Sequence, residues 1–256
     1  MSLTIKNIIL LLLTATGIVS IFFFDRIPQD LAYHHFADDR MLFSIPNYWN
    51  VISNLPFLLI GIIGVYILTK KKLSVVDSML SVNYLMFFSG VFLTGAGSSY
   101  YHLHPNNDTL LWDRLPMTIS FMSFFTIIIG EYVNIKAGKT LLFPLLITGV
   151  ISVMYWYVTE TLERGDLRMY VLVQFLPLLL IPFILLLFRS PFNGGLYIWL
   201  MILAYALSKT FESYDASVFN VGGVISGHSI KHFMAALAPV ILLVGLFKRS
   251  KIKDPV

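Results

Sequence analysis

Five side chains with the capacity for metal and proton chemistry occupy two distant parts of this 256-residue chain. Ser98 and His102 are four residues apart, and Asp113 follows His102 by eleven residues. His228 and His232 form a second pair with a spacing of four. Because residues four apart lie on the same face of a helix, each pair is predicted to present its side chains one turn apart.

The three histidines indicate a metal site. Two histidines at positions i and i+4 can bind one metal ion, and a third from another helix leaves one coordination position open for water. The chain contains no cysteine, so a transition metal must be held by His, Asp or Glu. The pattern favours catalytic zinc, which lowers the pKa of a bound water to about 7.

Asp113 and Ser98 are predicted to assist that water. Asp113 can orient the water or accept its proton, and Ser98 can donate a hydrogen bond to an oxyanion formed from a carbonyl group. Each also has a simpler interpretation, Asp113 as a helix N-cap and Ser98 as a partner of a backbone carbonyl. Ionisable groups at membrane level are costly, so the convergence of several favours a functional site.

The elements that must position these residues are transmembrane helices. Hydrophobic residues make up 57% of the chain and charged residues 12%, and the mean hydropathy is +0.78. A soluble domain carries about twice that charged fraction. A transmembrane helix needs about 20 apolar residues. Eight such stretches are predicted, at 8–24, 50–69, 80–101, 114–132, 140–158, 169–188, 194–211 and 228–247. The first lacks a signal-peptide cleavage site and is predicted to be an uncleaved span.

The distribution of charge predicts the orientation of this all-α, multi-pass membrane protein. Eleven of the 18 Lys and Arg residues fall on the side that holds both termini, and eleven of the 14 acidic residues fall on the other side. Both termini are therefore expected to be cytoplasmic, and the ends of spans three, four and eight to meet at the periplasmic or luminal face. The basic residues carry no interleaved exposed aromatics, so no nucleic-acid binding is expected, and no obligate protein partner is evident.

The order of these motifs resembles the signature of the alkaline ceramidases. Ser98-x-x-x-His102, Asp113 and His228-x-x-x-His232 look like their motif set, and "YWNVISNLPF" at 48–57 is similar to the segment that opens their first core helix. Their superfamily also includes adiponectin and progestin receptor-like, haemolysin III-type and GPI-remodelling proteins. The resemblance covers residues 45–247 as a seven-helix core. It leaves 1–44 as an extra N-terminal helix with an outer loop, and 248–256 as a basic cytoplasmic tail.

The resemblance implies a zinc-dependent hydrolase of sphingolipid metabolism. Zinc would be held by His102, His228 and His232, with Asp113 and Ser98 serving the zinc-bound water and the transition state. The substrate would be a membrane lipid, ceramide or a related N-acyl lipid, although the same hydroxide would also attack an ester. The alternative is a receptor-like or haemolysin III-type protein with structural zinc. An open coordination position that faces a lipid-sized cavity would favour the enzyme. Direct ligation of the zinc by Asp113, with no cavity, would favour the structural site.

Further polar residues have two interpretations each. Lys209 and Glu212, at positions i and i+3, can form a structural ion pair or hold a polar lipid head group. His104 can bind substrate or face water. Asp38 and Asp39 can supply carboxylates to a second cation such as Ca²⁺, or can be solvated loop charges. The resemblance implies an acidic residue where Asn47 stands. Separately, prolines are expected to kink the helices and open a side entrance for lipid, at Pro177, Pro182 and Pro239.

Overall fold

The computed structural model describes residues 1–70, 73, 76 and 78–252. Lys71, Lys72 and residues 253–256 of the predicted basic tail lie outside the described residues. The described chain contains ten α-helices and no named strand, which confirms the all-α prediction. The helices are α1 (Leu3–Ser20), α2 (Tyr48–Ile52), α3 (Leu55–Lys70), α4 (Ser81–Leu103), α5 (Asn107–Ile128), α6 (Ile135–Thr161), α7 (Arg168–Leu187), α8 (Gly195–Ser213), α9 (Asp215–Gly222) and α10 (Gly227–Lys248).

Seven helical stretches of the described chain are long and apolar enough to cross a membrane, as expected of a multi-pass membrane protein. They are Leu3–Phe23, Tyr48–Lys70, Ser78–Leu103, Asn107–Val133, Ile135–Thr161, Arg168–Leu187 and Gly227–Lys248. Each overlaps one of the eight predicted spans. Helix α8 covers the remaining stretch, 194–211, but carries Lys209 and Glu212 in its final turns and is not among the seven. The count of eight spans therefore stays a prediction.

Helix α8 nevertheless runs antiparallel to α10 along most of its length. Near the start of α8, the Tyr197 ring packs so closely on Gly245 that a Cβ there would lie 2.9 Å from the ring. Near its end, the Phe211 carbonyl oxygen faces Gly227, where a Cβ would lie 2.3 Å away. Helix α8 thus extends between the same two ends of the bundle as α10.

The connection between α4 and α5 is shorter than the sequence suggests. The polar stretch 97–113 is mostly helical, and only residues 104–106 lie between the two helices. Asn106 caps α5, since its Oδ1 accepts from the Thr109 amide at 2.9 Å while Thr109 Oγ1 accepts from the Asn106 amide at 3.2 Å. This reciprocal cap starts the helix at Asn107. Asp113 therefore lies inside α5, and its interpretation as an N-cap is wrong.

The N-terminal segment, residues 24–47, folds back over one end of the bundle. Its backbone is anchored by three hydrogen bonds from main-chain amides: Leu167 to the Ile27 carbonyl (2.8 Å), Gln29 to the Glu160 carboxylate (3.2 Å) and Ala37 to Asp215 Oδ2 (2.9 Å). Helix α1 itself packs at the periphery on α7 and has no buried residue, as suits a lipid-facing span. The segment, rather than α1, reaches the candidate site.

A buried ion pair stabilises the opposite end of the bundle. Arg249 Nη1 lies 2.8 Å from Glu131 Oε2, and Arg249 Nη2 lies 2.7 Å from Oε1. The Tyr84 hydroxyl donates to the same carboxylate. Glu131 lies in a π-helical turn, Ile129–Val133, that continues α5. Because Tyr84 is eighteen residues before His102 on α4, about 27 Å separate this pair from the histidines.

Candidate metal centre and adjoining cavities

The three predicted histidines meet at one point between α4 and α10. Each offers a ring nitrogen, and these nitrogens lie within 4.8 Å of one another. His102 Nε2 and His228 Nε2 are 3.4 Å apart, and all three side chains are buried. Two nitrogen ligands of a tetrahedral zinc ion, each about 2.0–2.1 Å from the metal, also lie about 3.4 Å apart. The cluster could therefore hold a metal ion, and its donor set fits zinc.

The start of α10 is built to hold its histidine pair in place. Ser226 caps the helix, because its Oγ accepts from the Ser229 amide at 3.3 Å. The His228 amide donates to Asp215 Oδ1 at 2.7 Å, so a side chain from α9 satisfies a second unpaired amide of the first turn. The backbone that carries His228 is thus fixed from two sides.

A layer of polar side chains from the segment 48–57 supports this arrangement. Ser53 Oγ lies 2.7 Å from His232 Nδ1, which leaves Nε2 of that ring for a metal. Asn50 Oδ1 accepts from the Ser229 hydroxyl at 2.7 Å and so ties α2 to α10. Both Asn50 and Ser53 are fully buried. Sequence reasoning used this segment only for its resemblance and missed these contacts, although buried polar residues in an apolar span were a signal.

Asp113 and Ser98 lie next to each other, close to the histidine cluster. Both are buried, and both line a cavity that His232 also lines. The close approach of α4 to α5 depends on Gly97, where a Cβ would lie 2.0 Å from the Trp112 carbonyl oxygen. Among the described residues, Asp113 is not part of the three-histidine group that could hold a metal ion.

Two adjoining cavities lie at this end of the bundle, and His232 lines the polar one. The polar cavity has a volume of about 70 Å³ and is lined by the polar and charged side chains of Tyr33, Asn54, Thr94, Ser98, Asp113, Tyr205, Ser208, Lys209, Glu212, Lys231 and His232. The apolar cavity has a volume of about 140 Å³ and a wall that is almost entirely nonpolar. The two share Phe57, Thr94, Met117, Tyr205 and Ala235. Of the three prolines expected to open an entrance, Pro239 lines the apolar cavity.

Lys209 and Glu212 form the expected ion pair, with Nζ 2.6 Å from Oε2. A second lysine, Lys231, joins them from α10, with Nζ 2.5 Å from Oε1. The Tyr33 hydroxyl donates to the same oxygen at 3.3 Å. Lys231 was not predicted as a site residue. Its position between the two histidines of α10 was the available signal, since a residue inside such a pair cannot be far from the metal.

The remaining predicted residues lie apart from the cavities. His104 is exposed at the end of α4, which fits the water-facing interpretation. Asp38 is 1% exposed, so its interpretation as a solvated loop charge is wrong. Arg40 binds both its carboxylate oxygens at 2.7 Å, and Asp39 is exposed. In the described part of the chain, Asp38 and Asp39 do not form a cation cluster. The side-chain nitrogen of Asn47, Nδ2, donates to the His102 backbone carbonyl at 2.8 Å.

The N-terminal segment covers the metal centre with an aromatic ring. The Phe36 ring centroid lies 4.7 Å from that of His102 and 4.5 Å from that of His228. His34 fixes the segment, since its Nδ1 lies 2.9 Å from the Tyr101 hydroxyl and its Nε2 lies 2.9 Å from Asn107 Oδ1. Sequence reasoning missed Phe36 and Tyr33, because a loop without helical periodicity gives no indication of what it packs against.

Comparison with known proteins agrees with the geometry. The family model described as Ceramidase matches residues 41–249, which is most of the chain and includes every histidine of the metal centre, Ser98 and Asp113. No individual curated protein matches the sequence. The extent of the family match, over a fold that assembles the three histidines beside Asp113 and Ser98, leads to one conclusion. The chain belongs to the ceramidase family.

Proposed function

We propose that this protein is a zinc-dependent intramembrane hydrolase that cleaves the N-acyl bond of ceramide or a related N-acyl lipid. One observation carries the proposal: three buried histidine nitrogens converge beside a cavity that Asp113 and Ser98 also line. Membership of the ceramidase family supports hydrolysis of a lipid amide. The open polar cavity favours catalysis over a purely structural site.

The residues of the site have separable roles. A zinc ion held by the three histidines would supply a Lewis acid and would lower the pKa of a bound water towards neutrality. Asp113 would accept a proton from the water that attacks the amide carbonyl, and would deliver it to the departing amine nitrogen. Ser98, which lines the same cavity, would orient the Asp113 carboxylate. Once Asp113 is protonated, the Ser98 hydroxyl can turn to the oxyanion derived from the carbonyl.

The apolar cavity is the proposed site for the acyl chain. It borders the polar cavity through five shared residues, so a lipid can place its amide beside Asp113 while its hydrocarbon remains among apolar side chains. Burial of each methylene in such a cavity stabilises the complex by about 0.8 kcal/mol. The distribution of Lys and Arg supports cytoplasmic termini, which would put the metal centre at the periplasmic or luminal side.

The alternative, a receptor-like or haemolysin III-type protein with structural zinc, has less support. It would be favoured by Asp113 acting as a fourth ligand and by a closed site. Asp113 is instead not part of the three-histidine group, and with other described residues it lines a cavity.

The test is hydrolysis of a fluorescent N-acyl sphingosine by the purified protein, with zinc measured on the same sample. Wild type is expected to release fatty acid and to contain one zinc ion per chain. His228→Ala should lose both zinc and activity, whereas Asp113→Ala should keep zinc and lose activity. Stoichiometric zinc without turnover of ceramides, other N-acyl lipids or ester lipids would support the structural site. Absence of zinc from wild type prepared without chelator would overturn the metal centre.

A further inference from the structure

We propose that Lys209 and Lys231 bind an acidic group, a carboxylate or a phosphate, on the amine side of the substrate. We call Lys209, Lys231, Glu212 and Tyr33 the lysine subsite. The inference rests on the proposed function only in treating the ligand as a substrate. The family resemblance does not supply it, since ceramide itself carries no charge.

Two ammonium groups of the lysine subsite converge on one carboxylate. Each Glu212 oxygen contacts one lysine, Oε2 with Lys209 at 2.6 Å and Oε1 with Lys231 at 2.5 Å. An ammonium group has three N–H donors, so each lysine has two donors beyond the one directed at Glu212. Both lysines line the polar cavity together with His232. Donors beyond those used by Glu212 are thus available at the wall of the proposed reaction chamber.

The charge of the polar cavity depends on the metal. Lys209 and Lys231 line it together with two carboxylates, Glu212 and Asp113, so the side chains alone are balanced. The side chains of Lys231 and Glu212 are only 15% and 18% exposed. A divalent metal held by three neutral histidines would add two positive charges beside this set. Because an unbalanced charge is costly away from bulk water, an anionic ligand would stabilise the metal-loaded site.

The positions of the lysines indicate where the acidic group would sit. Lys231 directly precedes His232, so it is held close to the metal centre by the geometry of α10. The apolar cavity lies across the shared wall residues and suits the acyl chain. A substrate whose amide lies between the two cavities would then carry its acidic group within a few bonds of the amide nitrogen. An N-acyl amino acid and a phosphorylated N-acyl ethanolamine both have this arrangement.

The experiment measures binding of three probes that share one acyl chain: N-dodecanoylglycine, N-dodecanoyl-O-phosphoethanolamine and neutral N-dodecanoylethanolamine. Asp113→Asn protein prevents turnover during the titration. Because this change also removes a negative charge from the cavity, the preference must reappear in wild type, measured as displacement of the neutral probe by each acidic probe. At least one acidic probe is expected to bind about tenfold or more tightly than the neutral probe, as befits hydrogen bonds to charged groups. The ratio between the two acidic probes then identifies carboxylate or phosphate as the preferred group.

Lysine substitutions in the same background test the assignment. Lys231→Met and Lys209→Met should each remove most of the preference for the acidic probe while leaving the neutral probe within about twofold. The matched control is Lys136→Met, an exposed lysine at the start of α6. The start of α6 lies near the start of α4, where Asn83 donates to the Gly138 carbonyl, and thus at the end of α4 remote from His102. Lys136→Met should change nothing.

Glu212→Gln separates a subsite from a structural ion triad. Removal of the competing carboxylate should leave binding of the acidic probe as tight as in the parent, or tighter. A triad that only joins α8 to α10 predicts instead that Glu212→Gln and both lysine variants weaken all three probes alike. That result, or equal binding of acidic and neutral probes by the parent, would overturn the proposal.

Turnover measured in parallel on wild type separates this proposal from the proposed function. Lysine-dependent binding of an acidic probe without hydrolysis of any amide would support the subsite and count against the hydrolase. Hydrolysis of a neutral ceramide, with acidic and neutral probes bound alike whether or not the lysines are present, would support the hydrolase and count against the subsite.

Discussion

Ser53 Oγ and His232 Nδ1, 2.7 Å apart, connect helix α2 to the metal centre across 179 positions of sequence. If Nε2 of His232 binds metal, Nδ1 carries the ring proton and donates a hydrogen bond to Ser53 Oγ. The Ser53 hydroxyl then donates to the Asn50 carbonyl at 3.2 Å. Such partners fix the ring orientation and tautomer of a metal-binding histidine.

Ser53→Ala is therefore expected to weaken zinc binding by about 10- to 100-fold, because the His232 ring loses the partner that orients it. The measurement is a competition titration against a chromophoric chelator. Ser81→Ala, at the exposed start of α4, is the control and should bind zinc as wild type does. Equal affinity of the Ser53 variant and wild type would mean that packing alone orients the ring.

Gly97→Ala is expected to lower kcat by about tenfold or more with zinc retained. A Cβ at Gly97 would lie 2.0 Å from the Trp112 carbonyl oxygen, so α4 and α5 must separate and Ser98 must shift relative to Asp113. A misplacement of about 1 Å can cost a catalytic site about 100-fold. The control is Gly222→Ala, since a Cβ there meets nothing within 4 Å. Unchanged kcat in Gly97→Ala would show that the relative placement of Ser98 and Asp113 does not limit catalysis.

Ala238→Phe should shift the preferred acyl chain to a shorter length. Ala238 lines the apolar cavity and not the polar one, so a phenyl ring there takes the space of about four methylenes. Each methylene that loses its place costs about 0.8 kcal/mol of binding. The ratio of kcat/KM for 10-carbon over 16-carbon substrates should therefore rise at least about tenfold. Ala15→Phe, on the exposed side of α1, should leave the ratio unchanged. An unchanged ratio in Ala238→Phe would place the acyl chain elsewhere.

Anchoring of the N-terminal segment is expected to weaken as the pH falls below about 6.5. Burial lowers the pKa of His34 in the folded protein, whereas the detached segment would titrate at the ordinary histidine pKa of about 6.5. Below that value the detached form binds more protons, so anchoring loses stability as protons are added and is restored as the pH rises.

Hydrogen exchange of amides 29–39, compared at pH 7.5 and pH 5.5 after correction for intrinsic rates, measures this effect. Wild type should lose protection at the lower pH, and His34→Gln should show a smaller change. His104 is exposed and serves as the control, so His104→Gln should behave as wild type. The same pH response in His34→Gln and wild type would contradict the assignment.

Arg249→Gln should destabilise the protein by about 3–5 kcal/mol, since it leaves the Glu131 carboxylate buried without its cation. The two side chains are only 7% and 3% exposed. The measurement is the free energy of unfolding of the variant and of wild type, each in mixed micelles. Activity per folded molecule should stay unchanged, because the pair lies at the opposite end of α4 from His102. An equally stable variant would show that solvent reaches the carboxylate.

Sequence located the spans and the histidines because both signals are local. A run of apolar residues and a spacing of four are properties of one helix, and they place His228 and His232 before any tertiary contact is known. The start of α5 was misplaced because the Asn106 cap and the polar first turns interrupt the apolar run. Ser53 and Lys231 carried only an indirect signal, a polar residue in an apolar span and a position between two histidines, and Phe36 carried none, since their contacts depend on which helices and loops become neighbours.

The cover formed by the N-terminal segment also has a consequence for how selectivity is distributed along the gene product. Tyr33 and Phe36 help to enclose the site, yet they precede residue 41, where the family match begins. Part of the enclosure of the site therefore lies outside the stretch that the family model matches. Substitutions in residues 24–40 can change how the site is enclosed without changing the three histidines, Asp113 or Ser98.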